Sequence, residues 1–91
     1  MPVMIGDHHL NNFEEWFPLF LENPPPPIGK WRLLRGADDP NRVYVIGEVS
    51  ETEVSEINAY FETDKMKAVL AKANDMSRRP MEILWMNEVK P

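Results

Sequence analysis

The chain has 91 residues, with 10 basic against 15 acidic side chains, a net charge of −5, 43% hydrophobic residues and no cysteine. That length fits a single domain spanning residues 1–91, and the apolar share is too high for a disordered chain. The acidic balance argues against a nucleic-acid backbone as ligand, which needs clustered Lys and Arg, and the lack of cysteine excludes disulfides, thiolate metal sites and a Cys nucleophile.

The opening "MPVMIGDHH" has no basic n-region, and its apolar run is too short for a signal peptide. No stretch approaches the roughly 20 apolar residues of a membrane span. A cytoplasmic protein with no membrane partner is therefore expected. Met1 to Ile5 reads as a first strand, with His8 and His9 near the junction between it and a helix. Asn12 suits the N-cap of that helix, and Glu15 three residues on completes a capping-box-like pair. Phe13, Trp16, Phe17, Phe20 and Leu21 recur at helical spacing and define one apolar face. Pro18 lies inside the run, removes one backbone donor and predicts a kink or a tight first turn. "NPPPPIG" ends the helix, and its prolines favour a stiff connector over an exposed ligand for a proline-binding partner.

Lys30 to Arg35 reads as a strand with Trp31, Leu33 and Arg35 on one face. Asp39-Pro40-Asn41-Arg42 suits a type I turn, because proline presets φ at the second position. Val43 to Val49 is β-branched and aromatic and closes a hairpin; Tyr44 falls on the opposite alternation from Val43 and Val45. Ser50 and Glu53 form an S-x-x-E capping box, and Thr63 with Asp64 offers a second start, so the second helical region is expected in two segments. Asn74 is expected as a left-handed stop, and Pro80 to Val89 as a last strand.

The order β-α-β-β-α-β is the ferredoxin-like α+β arrangement, a four-stranded antiparallel sheet with its helices on one face. The strands carry apolar residues on both faces, and the chain has no segment left to cover the second. A second copy is the simplest cover, giving a homodimer in the form of a dimeric α/β barrel.

"HHLNNFEEWFPLF" resembles the opening of small proteins in the dimeric α/β-barrel superfamily, the group of the antibiotic-biosynthesis monooxygenase-like proteins. The matching positions are His8, Leu10, Asn12-Phe13, Trp16, Pro18 and Phe20, with Asn12 standing where the family has Asp. "RGADDPNRVYVIGEV" is similar to the family's hairpin, and "AYFETDKMKAVLAKAND" to its second helix. The resemblance implies a homodimer with a pocket between helices and sheet in each subunit. Its members oxidise polyketide-like aromatics without a cofactor, degrade haem, or cyclise or isomerise small molecules. The haem-degrading branch carries a His on the second helix, which this chain lacks, so no cofactor is expected.

His8 matches the family's position and is the candidate catalytic group, since imidazole relays protons near neutral pH and suits an acidic phenol or enol. The alternative is a histidine bonded to backbone at the helix entrance. His9 is expected to face solvent, and two adjacent histidines without a spaced carboxylate make a poor metal site. Trp16, Phe20, Trp31, Phe61 and Trp85 are the candidates for the wall of a pocket for a flat aromatic ligand, against the alternative of plain core or dimer interface. Arg32 and Arg35 are candidates for an anion, against ordinary surface pairing. The functions in competition are cofactor-independent monooxygenation or isomerisation of an aromatic or enolic substrate, and a non-catalytic dimeric module that binds a ligand or only itself.

Overall fold

Period-two alternation and well-formed caps build the elements seen in a computed structural model covering residues 1–91. In chain order these are β1 (Pro2–Leu10), α1 (Phe13–Glu22), β2 (Lys30–Arg35), β3 (Arg42–Glu48), a 3-10 turn (Glu51–Glu53), α2 (Val54–Phe61), α3 (Asp64–Asp75) and β4 (Ser77–Asn87). The strands pair antiparallel in the order β2-β3-β1-β4, the ferredoxin-like topology with the second helical region in two pieces.

β1 is longer than expected. It sits between β3 and β4, and with partners on both sides its backbone stays extended through Asp7, His8 and His9 to Leu10. The histidines are therefore residues of a central strand, not of a hinge. β4 likewise begins at Ser77, three residues before the expected start. Pro80 is tolerated there because β4 is an edge strand, where a missing donor breaks no ladder bond.

Asn12 caps α1 and accepts a hydrogen bond from the Glu15 N–H at 3.3 Å. The second cap comes from the hairpin rather than from the Glu15 side chain: Asn41 Oδ1 accepts from the Phe13 N–H at 2.9 Å. α1 continues through Pro18 to Glu22. The Asp39–Arg42 turn closes with Arg42 N–H donating to the Asp39 carbonyl at 3.0 Å, and so holds Asn41 in place for that bond. Asn41→Ala is expected to lower stability by about 1 kcal/mol, roughly 4–8 °C in Tm by circular dichroism, because one half-buried helix donor loses its acceptor.

The Ser50–Glu53 capping box forms, and Thr63 caps α3. Asn74 does not end α3 in a left-handed turn; the helix runs on to Asp75, and Asn74 Oδ1 instead accepts from the Met81 N–H at 3.0 Å. The side chain thus ties α3 to β4, and a helical backbone keeps it pointing at the strand.

Met4, Gly6, His8 and Leu10 of β1 alternate with Val3, Ile5, Asp7 and His9, so the first set meets the helices and the second lies on the open face. Leu10, Trp16, Leu19, Val43, Val45 and Ala73 form one core cluster, and Met4, Val49 and Ile57 a second. Leu10, Val43, Val49 and Ile57 are fully buried; each contributes about 1.5–3 kcal/mol. The proline segment packs as a connector, with Pro26 buried and Pro25 against the helix-side cavity.

Candidate functional site

Between the two core clusters the side chains do not close. The void holds about 60 Å³ for the centre of a water-sized sphere. Its floor is Met4, Gly6 and His8 of β1, with Val45 of β3 and Met81 of β4. Trp16 and Phe20 of α1, Phe61 at the end of α2, and Met66 and Val69 of α3 form the roof. No lining residue carries a charged side chain, and besides His8 the only polar one is Asn23 at the end of α1.

Of the residues singled out in the sequence, His8, Trp16, Phe20 and Phe61 come together around this void. Trp31 and Trp85 do not. The Trp31 ring lies flat on Gly47 and donates its indole N–H to the Ile28 carbonyl at 2.8 Å, which fixes it over β3. Trp85 packs on the Met4–Val49–Ile57 cluster. Both share the helix-side alternation and stand level with Met4 in the register, Trp85 on β4 and Trp31 on β2, but neither lines the void. The sequence reading missed Gly6 and the three methionines Met4, Met66 and Met81; extending the β1 alternation back from His8 finds Met4 and Gly6.

His8 is 5% exposed, and its ring packs against Trp16 with centroids 5.1 Å apart. Its Nδ1 is sealed from solvent and has no hydrogen-bond partner. Burial pushes its pKa down from 6.5 to about 4, opposed by the Asp7 carboxylate and helped by His9. The imidazole is therefore neutral at pH 7. The β1–β4 ladder shifts register on either side of His9, and His8 is skipped in that pairing while it still pairs with Val43 of β3. Such irregularities re-aim side chains.

Asp7 and His9 lie on the other face of the sheet. Arg42 donates to Asp7 Oδ2 at 3.3 Å and to the Tyr44 hydroxyl at 3.2 Å. Arg79 lies 2.6 Å from His9 Nε2. The same nitrogen lies 3.4 Å from Asp7 Oδ1. His9 is thus a member of a polar row and does not face solvent; its side chain is 15% exposed. Asp7 points away from His8 and does not orient it. Arg35 pairs with Glu14 at 3.0 Å and covers the Phe13 ring, and Arg32 lies 3.9 Å from Glu48, so both arginines are surface partners of acids.

No group of three or more His, Asp or Glu side chains is arranged to hold a metal ion, and no helix is long and apolar enough to cross a membrane.

A split β-α-β sheet with an apolar helix-side cavity is a recurrent small-domain design, and comparison with solved structures narrows it. One described as an antibiotic biosynthesis monooxygenase superposes with a TM-score of 0.78 at 16% identity, over 99% of this chain and 100% of the other. A conserved protein from Methanosarcina mazei Go1 gives 0.77 at 9% identity, over 97% and 92% of the two chains. A variant of SnoaB, a cofactor-independent oxygenase from Streptomyces nogalater, gives 0.74 at 12% identity, over 99% and 94%. No family model matches the sequence, and no curated protein does so. The chain has the fold of the antibiotic biosynthesis monooxygenase proteins.

Proposed function

We propose that the protein is a homodimer whose helix-side cavities each take a flat, uncharged phenol or enol, and that it oxidises or isomerises this substrate without a cofactor, with His8 receiving the hydroxyl proton. One observation carries the proposal: a buried, neutral imidazole lining an apolar void that has no charged wall, with its Nε2 beside the Gly6 floor. The Nε2 atom makes no side-chain hydrogen bond within the protein, and it is the ring nitrogen placed to accept from a ligand hydroxyl. The likeness in fold to a cofactor-independent oxygenase supports the same chemistry.

A ring whose conjugate acid has a pKa of about 4 is a weak base when the cavity is empty. Proton transfer from an enol creates imidazolium and enolate together, and in a low-dielectric site their attraction offsets the burial penalty on each. In an oxidation the enolate supplies electrons to dioxygen, and the balanced change converts a CH₂ group to C=O with release of one water per O₂. The aromatic roof excludes bulk water and stacks on the ligand ring. The void is smaller than a fused ring, but it is lined by Met4, Met66 and Met81, whose flexible thioethers repack around an incoming ligand. That same small volume favours the second reading, a module that binds a ligand without turning it over.

Anthrone, an enolisable probe, separates the two. The wild type is expected to consume dioxygen above the spontaneous rate, and His8→Gln to lower turnover by about 10²–10⁴-fold, the usual worth of a positioned proton acceptor, while binding changes only a few-fold. Binding without dioxygen uptake by the wild type would overturn the oxidation, and a ligand recovered unchanged, with no isomer formed, would establish the non-catalytic module instead.

A further inference from the structure

Three of the four glycines answer to the fold itself. Gly29 has φ of +79°, a Cβ at Gly36 would overlap the Asp39 carbonyl, and a Cβ at Gly47 would overlap the Trp31 ring. Gly6 answers to none of these demands. Its φ lies outside the left-handed region. A Cβ there would meet only Met81 Cε at 3.5 Å, and His8 Nε2 and Val45 Cβ at 3.6 Å, all ordinary contacts with side-chain atoms. Yet Gly6 is in the interior of a central strand, where glycine is less favourable than other residues because it loses more backbone freedom and packs nothing. What its missing side chain leaves is open floor in the cavity, directly beside the His8 ring.

We infer that Gly6 is a specificity-determining position: the edge of a bound ring packs on its bare Cα, closer to the sheet than any side chain would allow, and so brings the ligand hydroxyl to His8. The inference rests on the proposal that the cavity is a ligand site. His8 Nε2 is 3.6 Å from the point a Gly6 Cβ would occupy, so a ring lying over the bare Cα stands beside that nitrogen and presents its hydroxyl at the hydrogen-bond range of about 2.7–3.0 Å. The ligand is then a fused-ring phenol or enol with its hydroxyl on the leading edge. It bears no carboxylate, since no cation lines the cavity to pair with one.

Titration of wild type and Gly6→Ala with phenol and with 1-naphthol, followed by tryptophan fluorescence and accompanied by thermal melts, tests this. The added methyl fits the fold, so Gly6→Ala is expected to melt at or above the wild-type temperature. It is expected to bind 1-naphthol about tenfold or more weaker and phenol less than about threefold weaker, as a one-methyl change in an apolar pocket discriminates by size. Unchanged 1-naphthol affinity in Gly6→Ala would overturn the role of Gly6 while leaving the cavity as a ligand site. So would an equal loss for both probes, or a lowered melting temperature, which would show that the strand itself needs the glycine. Failure of the wild type to bind either probe would overturn both proposals together.

Discussion

His8→Leu is expected to melt above the wild type at pH 7 and to lose most of the wild type's sensitivity to mild acid. The folded His8 has a pKa of about 4 against 6.5 for the ordinary side chain, chiefly because burial disfavours the charged ring. Below pH 6.5 the unfolded chain takes up a proton that the folded chain refuses until about pH 4. Stability is therefore fully retained above 6.5, falls between 6.5 and 4, and is level below that, for a total loss of about 3 kcal/mol. Three exposed carboxylates respond in a lower range. Glu14 is held below the usual range by a backbone N–H and by Arg35, Asp39 by Arg78 and the Asn41 N–H, and Glu53 by the Ser50 N–H and hydroxyl. Their contributions are present above the ordinary carboxylate range and vanish as pH falls through their depressed values. The drop from pH 6.5 to about 5 thus belongs to His8. Leucine also removes the sealed, unpartnered Nδ1, which in the wild type costs about 1–3 kcal/mol, so the variant gains several degrees in Tm at neutral pH. Parallel curves of Tm against pH for wild type and His8→Leu would refute a buried neutral histidine. A residue that weakens the fold where it stands is expected at a site shaped by function.

The caps and turn chemistry that set the framework were legible because they are local. Asn12, the Asp39–Arg42 turn, the Ser50–Glu53 box and Thr63 each act within four residues, and each falls where the sequence places it. The length of β1 was not legible. Gly6-Asp7-His8-His9 has little strand propensity of its own, and only pairing with β3 on one side and β4 on the other holds it extended. The same long-range cause moved His9 from solvent to the Arg79 contact and started β4 before Pro80. Aromatic content alone could not separate Trp16, Phe20 and Phe61 from Trp31 and Trp85. All five meet the helix side, and what divides them is tertiary packing: Trp31 is held on Gly47 and Trp85 on the second core cluster, contacts that no local pattern reveals. The Gly6 floor needed the void itself to be seen, since a glycine in sequence does not tell a turn from a vacancy.

Ile5→Lys is expected to convert the proposed dimer to a monomer without unfolding it. On the face away from the helices the pairing register sets Ile46, Ile5 and Leu84 side by side across β3, β1 and β4. Val3 and Met86 form the next pair along, with Glu48 in register on β3, and Leu84 and Met86 are exposed. The neighbouring positions in the other direction are polar: Tyr44, Asp7 and Glu82 lie in register, followed by Arg42, His9 and Arg79. An apolar band bounded by a bonded polar row, on a sheet with every helix on its other side, fits a self-complementary contact between two copies. A two-fold contact brings the band against its own copy, so one substitution puts two ammonium groups into a largely apolar interface where the acid in register, Glu48, already faces Arg32 at 3.9 Å, which leaves association unfavourable. The core clusters on the helix side do not include Ile5, so the fold should survive. Light scattering on the eluting peak should give twice the 10.6 kDa chain mass for the wild type and the single chain mass for Ile5→Lys. Leu84→Glu, on the edge strand, tests the same band with the opposite charge and should likewise run as a monomer with a wild-type circular dichroism spectrum. A wild type at the single chain mass at high concentration, or both variants still dimeric, would remove the shared sheet face from the proposal.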